Sequence, residues 1–238
     1  MDNAYRKNSI IVGILFLMGF LGVPSKSLLD SILKSPDYLS KIAANQTQII
    51  TGVLLLVIMA VACASIAIWL YPVLKKHNEV LAIGAVSFRL LEAALFFVAA
   101  ISILAMIPLS HEYINGAASN LKNIGTVLLS IRDTTTNILA LLAWNIGAFM
   151  YYYVFFRTRL VPRWLSVWGL AGVTLCMVSC ILVLYGTIQP FSDIQVAINA
   201  PIGLQELVLA VWLIVKGYNT SVLQGKESSG EKGIVKEG

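Results

Sequence analysis

The chain has 238 residues, of which 58% are hydrophobic and 12% are charged, whereas about 25% of the residues of an ordinary soluble domain are charged. This composition excludes a soluble globular protein. The net charge of +5 does not indicate a nucleic-acid partner, because Lys and Arg gather in the cytoplasmic loops of membrane proteins. We predict one membrane domain over residues 1–218, embedded in a lipid bilayer and with no nucleic-acid partner.

Six apolar segments follow one another along the chain. They are continuous rather than alternating, which excludes barrel strands, and five of them reach the ~20 residues that a spanning helix needs. The predicted spans are residues 9–23, 49–71, 80–107, 124–156, 165–185 and 194–215. The sequence therefore predicts an all-α fold, a polytopic bundle of six transmembrane helices.

The first segment is the shortest, and we expect Pro24 to end it. Because it follows Arg6 and Lys7, it also fits the charged and apolar parts of a signal peptide. No A-x-A-like cleavage site follows it. We therefore expect the segment to be retained as a helix.

The distribution of basic residues predicts the orientation. With a cytoplasmic N-terminus, 11 of the 17 Lys and Arg residues lie on the inner side and four on the outer side, which favours both termini inside. Aromatic residues that we expect at the inner head-group level cluster near the same loops. They are Trp69, Tyr71, Tyr151, Tyr152, Tyr153, Trp164 and Trp168.

Two segments outside the spans have patterns of their own. In the outer connection, residues 24–48, Ser35 precedes Pro36 and Asp37, which predicts a short surface helix over residues 36–44 with Ser35 as its cap. The tail, residues 219–238, is rich in Gly, Ser, Lys and Glu and is predicted to be a disordered cytoplasmic segment.

Opposite charges at Arg89 and Glu92 interrupt the third span near its middle. Each ionised group at that depth costs roughly 2.5–3.5 kcal/mol on insertion, so such residues normally pair and face the bundle interior. Their separation of three residues places them on one helix face. A buried ion pair is therefore predicted.

Further polar residues are predicted at the same depth. Arg89, Glu92, Asn145 and Glu206 lie ~14–18 Å from the inner ends of their helices, at 1.5 Å per residue, and Gln205 adjoins Glu206. Asn199, Gly203, Glu206 and Ala210 form a stripe that should let a neighbouring backbone approach closely.

Two interpretations of the polar residues at this depth remain open. In the first, Arg89 binds an anionic ligand group, and Glu92 or Glu206 binds a cation or carries a proton. In the second, Arg89 only neutralises the carboxylates and locks the third helix to the sixth. The presence of one cation and two carboxylates favours the first interpretation. In a purely structural arrangement, one carboxylate would have to be protonated or solvated.

A second polar group surrounds Asp133 and Asn137 in the outer part of the fourth span. On a regular helix both share a face with Trp144, and together with Asn199 they are predicted to line an outward-facing vestibule. The alternative is a polar helix end that projects beyond the lipid.

Motifs for catalysis or metal binding are not found in the sequence. Cys63, Cys176 and Cys180 lie in apolar runs, where free cysteine usually packs as a small hydrophobic residue. His77 and His111 are predicted on opposite sides of the membrane, so they cannot share a metal. We predict no catalytic residue, no metal and no cofactor.

Four stretches together resemble a known family. They are LYPVLKKHNE at residues 70–79, Phe88-Arg89 with Glu92, RLVPRWLS at residues 159–166 followed by Trp168-Gly169, and LQELVLAVWLIVKG at residues 204–217. This pattern is similar to the bacterial multi-pass membrane proteins of domain-of-unknown-function family 4386. The resemblance implies a bacterial cytoplasmic-membrane protein and no particular activity.

These patterns predict that the protein binds or transports a small polar or amphiphilic molecule, or a lipid, in a polar cavity between the third, fourth and sixth helices. The alternatives are a structural or regulatory membrane protein, and an intramembrane enzyme that uses a buried carboxylate. The predicted ligand-binding residues are Arg89, Glu92, Asp133, Asn137, Asn145, Asn199, Gln205 and Glu206.

Overall fold

The computed structural model of the protein describes residues 2–116, 120–190 and 192–224. All regular secondary structure in this part of the chain is helical. The helices are α1 (Asp2–Gly19), α2 (Gly22–Leu33), α3 (Tyr38–Ala44), α4 (Gln46–Leu74), α5 (Glu79–Ile114), α6 (Asn120–Thr134), α7 (Ala140–Thr158), α8 (Arg163–Leu184), α9 (Asp193–Val215) and α10 (Thr220–Gln224), with a π-helical turn at Thr135–Leu139 between α6 and α7.

Six stretches of the described residues are long and apolar enough to cross a membrane. They are Asn3–Leu33, Gln46–Leu74, Glu79–Ile114, Asn120–Thr158, Arg163–Leu184 and Asp193–Val215. The predicted all-α bundle with six spans is confirmed. The start of α1 and the end of α9 lie at the same end of the bundle, because Arg6 in α1 contacts the last turn of α9, and we call it the inner end.

The first span extends beyond Pro24, so the prediction that Pro24 ends it is wrong. The helices α1 and α2 are separated by only two residues and together form the 31-residue span Asn3–Leu33. Pro24 is the third residue of α2. A proline is tolerated there because the first four N–H groups of a helix have no intrahelical partner.

The predicted surface helix is present in the outer connection, as α3. It begins at Tyr38, two residues after the predicted start, and Asp37 rather than Ser35 occupies the cap position. The Ser35 hydroxyl instead donates to the Ile32 carbonyl at the end of α2. Of the predicted disordered tail, residues 220–224 form α10 with Leu223 buried, and residues 225–238 lie outside the described residues.

The fourth span is not a regular helix, because the π-helical turn separates α6 from α7. The Thr135 hydroxyl donates to the Ile131 carbonyl at 2.8 Å, and the Thr136 hydroxyl donates to the Arg132 carbonyl at 2.8 Å. These bonds stabilise the widened turn, which adds a residue and rotates α6 relative to α7. Half of the Asp133 side chain is therefore exposed, and it does not share the buried face of Asn137.

Arg6 joins α1 to the end of α9 at the inner end of the bundle. Its guanidinium donates to the carbonyls of Leu213 and Ile214, at 3.2 and 2.5 Å, in the last turn of α9. A cation at this position satisfies carbonyls that have no helical partner and complements the helix dipole. Nearby, the buried Tyr218 hydroxyl donates to the Asn8 side chain, and burial raises the pKa of Tyr218.

We expect Arg6→Ala to lower the free energy of unfolding by about 2 kcal/mol, because hydrogen bonds from a charged, half-buried group contribute about that much. The measurement is the thermal unfolding midpoint in detergent. Lys7→Ala is the matched control, since the neighbouring Lys7 is exposed and carries the same charge. Equal losses in both variants would show that Arg6 acts only through its charge.

Candidate functional site

A central cavity of about 250 Å³ lies inside the bundle. Every one of the six spans contributes to its wall, rather than only the third, fourth and sixth as the sequence predicted. The polar part of the wall consists of Arg89, Glu92, Asn199 and Glu206. Much of the remaining surface is apolar or aromatic, including Phe16, Phe96 and Trp144.

Arg89 is the largest fully buried side chain among the described residues, with 1% of its surface exposed. Its Nη1 atom lies 3.0 Å from Glu92 Oε2, which confirms the predicted buried ion pair, although the two atoms are not aligned as a hydrogen bond. Its Nε atom donates to the Cys63 carbonyl at 3.0 Å. Arg89 therefore connects α5 to α4 and also faces the cavity.

Glu206 reaches the same cavity from α9 and is only partly buried. Within the described part of the chain its carboxylate makes neither an ion pair nor a hydrogen bond, whereas Glu92 lies 3.0 Å from Arg89 Nη1. The cavity thus contains one cation and two carboxyl groups. Of these three charged groups, Glu206 is the most available to a ligand.

The stripe of small residues on α9 has two different environments. No atom of the described residues lies within 4 Å of a β-carbon built on Gly203, because this glycine borders the cavity. Ala210 is fully buried, and its carbonyl oxygen would be 2.7 Å from a β-carbon on Gly13. Close backbone approach, predicted for the whole stripe, is therefore found at Ala210 and not at Gly203.

Asn145 is fully buried but does not line the cavity. Its amide nitrogen donates to the Leu141 carbonyl at 2.8 Å and approaches Cys176 Sγ at 3.5 Å and Cys180 Sγ at 3.8 Å. Among the described residues, no cluster of three or more His, Cys, Asp or Glu side chains suitable for a metal ion is found. Asn145 thus packs α7 against α8.

Gln205 is also buried outside the cavity wall. The Tyr152 hydroxyl donates to its carbonyl oxygen at 2.6 Å, and its amide donates to the Leu165 carbonyl at 3.1 Å. These bonds connect α7, α8 and α9. Tyr151 and Tyr152 are fully buried, so their rings pack inside the bundle.

A second, outer cavity of about 100 Å³ lies farther from the inner end. Arg132 and Asn137 line it together with Ser25, Lys26 and Thr136, whereas Asp133 does not. Met59 and Phe96 border both cavities. Of the four residues predicted to form one vestibule, Asn137 belongs to the outer cavity, and Asn199 and Trp144 belong to the central one.

Asp30 is an acidic centre beside the outer cavity that is absent from the predicted site residues. Arg132 Nη2 lies 2.5 Å from Asp30 Oδ1, Lys34 Nζ lies 3.1 Å from Oδ2, and Lys26 also contacts Oδ2. The signal was the i, i+4 spacing of Lys26, Asp30 and Lys34. A first span that ends at Pro24 places these residues in a loop, where such a spacing does not indicate neighbouring side chains.

The spans and the buried ion pair define a multi-pass integral membrane protein with a polar cavity in its interior. The chain belongs to the family described as Domain of unknown function (DUF4386), whose match covers residues 11–217 and includes both cavities. The resemblance found in the four sequence stretches is confirmed. Neither the curated proteins nor the solved structures include a match to this chain.

Proposed function

We propose that the protein binds a small amphiphilic molecule in the central cavity and moves it across, or releases it into, the membrane. The observation that carries this proposal is the joint presence of Arg89, Glu92 and Glu206 on the wall of one cavity. Ionisable residues within membrane spans usually mark ligand or ion pathways. A cavity that combines apolar walls with a few polar groups suits ligand binding.

The size of the cavity limits the ligand. Its volume of about 250 Å³ is below the range of about 300–1,000 Å³ for pockets that hold drug-sized molecules. Phe16, Phe96 and Trp144 supply apolar surface for the body of the ligand. A compact molecule with a short apolar part and one polar group fits these walls best.

The charges favour a ligand whose polar group is a cation or a hydrogen-bond donor. The charge of Arg89 is already balanced by Glu92, whose Oε2 atom lies 3.0 Å from Nη1, so the second carboxyl group adds a net negative charge to the cavity. Glu206 lacks such a partner among the residues that the structure describes. We assign Glu206 the main polar contact with the ligand, and Asn199 a supporting one.

Thiol labelling tests whether the cavity admits small charged molecules. In a background without Cys63, Cys176 and Cys180, Gly203→Cys should react with a trimethylammonium-ethyl methanethiosulfonate reagent, because a solvated wall allows the reactive thiolate to form. Ala210→Cys is the control, since Ala210 is fully packed. The cationic reagent should react faster than its sulfonatoethyl analogue, and Glu206→Gln should reduce that preference.

A Gly203→Cys protein that is folded and inserted but does not react would contradict the proposal. That result would favour a structural role, which has its own supporting observation: Arg89 bonds α5 to α4 through the Cys63 carbonyl. Equal reactivity at Gly203→Cys and Ala210→Cys would indicate general loosening of the bundle rather than a cavity.

We further propose that the protein lies in a bacterial cytoplasmic membrane with both termini in the cytoplasm, as the excess of Lys and Arg at the inner end suggests. Reporters fused after Lys76, Arg163 and Gly238 should be cytoplasmic, and one fused after Gly116 should be external. Alkaline phosphatase and green fluorescent protein fusions measure this directly. An external reporter after Lys76 would reverse the proposed orientation.

A further inference from the structure

A basic cleft lies at the inner end of the bundle, remote from both cavities. It measures about 570 Å³ and is lined by residues 159–163, Trp212 and residues 216–219. Three exposed cations, Arg159, Arg163 and Lys216, surround it, and no carboxylate belongs to its wall within the described chain. The cleft is therefore electropositive and accessible.

The start of α8 adds to this positive potential. Pro162 occupies the cap position and provides no capping side chain. The N–H groups of Leu165 and Ser166 donate to the Pro162 carbonyl, whereas those of Arg163 and Trp164 have no side-chain acceptor. The positive end of the 22-residue helix dipole points into the cleft. An anionic group with several oxygen atoms suits this arrangement of donors.

An apolar groove adjoins the cleft on the membrane side. It measures about 390 Å³ and is formed by Leu207, Val208, Val211 and Val215, together with Trp212 and Lys216, which also line the cleft. Its residues extend over ~12 Å of α9 at 1.5 Å per residue. The groove leads from the basic cleft along the lipid-facing surface of the bundle.

We propose that the cleft and groove together form a specific site for an anionic phospholipid. The phosphate lies among Arg163, Lys216 and the start of α8, and one acyl chain lies along Val208 and Val211. Basic pockets between transmembrane helices bind such head groups. Because the shared residues Trp212 and Lys216 place the charge next to an apolar groove, a phospholipid fits both parts, whereas a soluble anion would use only the cleft.

Lipid titration of the full-length protein in uncharged detergent tests the proposal, with bound lipid counted by native mass spectrometry. Phosphatidylglycerol should bind the unaltered protein tightly, and phosphatidylcholine weakly. Arg163→Gln with Lys216→Gln should weaken phosphatidylglycerol binding about 30-fold, because each removed charge is expected to weaken it about fivefold. Arg157→Gln with Lys75→Gln, which removes two charges from the same end outside the cleft, should leave binding close to that of the unaltered protein.

A second pair of variants separates the lipid from free phosphate. Val211→Trp fills the groove and should weaken phosphatidylglycerol binding, whereas Val178→Trp, at an exposed position on α8, should not. Competition by millimolar inorganic phosphate that equals the effect of the lipid would overturn the proposal and leave an anion site only. Equal losses in the two double variants would also overturn it, since they would indicate diffuse surface attraction.

Discussion

Replacement of Arg89 by Met is expected to lower the free energy of unfolding in detergent by about 3–5 kcal/mol, because loss of one partner leaves a buried charge uncompensated. Arg89 and Glu92 are exposed to only 1% and 4%, so the Glu92 carboxylate would lose its partner at a largely dehydrated position. Met preserves most of the length of the Arg89 side chain, so little of the lost stability comes from an empty space. Thermal midpoints and denaturant titration both measure the loss.

The double replacement of Arg89 and Glu92 by Met should cost less than Arg89→Met alone, because it removes the carboxylate that the single change leaves unpaired. Arg157→Met is the control, since Arg157 is exposed and should be nearly neutral. A double variant as unstable as the sum of the two single variants would show that Arg89 and Glu92 do not stabilise each other.

The second large effect is expected at Gly13, where α1 crosses α9. A β-carbon at Gly13 would lie 2.7 Å from the Ala210 carbonyl oxygen and 2.6 Å from Ile214 Cγ1. Because the oxygen belongs to the backbone, the helices must move apart, and overpacking of this kind costs about 1–3 kcal/mol. Gly13→Ala should therefore lower the thermal midpoint clearly.

Gly203→Ala is the matched comparison, because the same change on α9 meets only the open cavity. Alanine in a helix interior is favoured over glycine by about 1 kcal/mol, so this variant should be as stable as the unaltered protein or more stable. A destabilised Gly203→Ala variant would show that the space beside Gly203 is closed in solution, and would contradict the cavity.

Several features of the fold were predicted because they depend on the chemistry of short segments. Continuous apolar runs indicate membrane helices, and the run around Arg89 and Glu92 predicted an ion pair from a spacing of three residues, which the 3.0 Å contact confirms. The helix α3 was predicted from the Ser35-Pro36-Asp37 pattern. Its start was placed two residues too early, because several polar residues can begin a helix.

The residues of the predicted site do not all lie at one cavity, because local sequence patterns do not give the direction of each side chain. Eight residues were expected to form it, and the structure brings Arg89, Glu92, Asn199 and Glu206 together at one cavity. Asn145 and Gln205 are buried, but they point into contacts between helices. Depth follows from counting residues along a helix, whereas the direction of a side chain depends on how the helices are rotated against each other.

The π-helical turn at Thr135–Leu139 illustrates the same distinction within one span. On a regular helix Asp133 and Asn137 would share a face. The extra residue of the turn separates Asp133 from the buried face of Asn137. The apolar and charged residues along the chain are sufficient to define a six-span bundle with a charged pair in its interior, because transfer into lipid is a property of each segment. Packing alone decides which polar residues share a cavity, because helix rotation, the Gly13 crossing and the hydrogen bond from Arg89 to the Cys63 carbonyl arise only between segments.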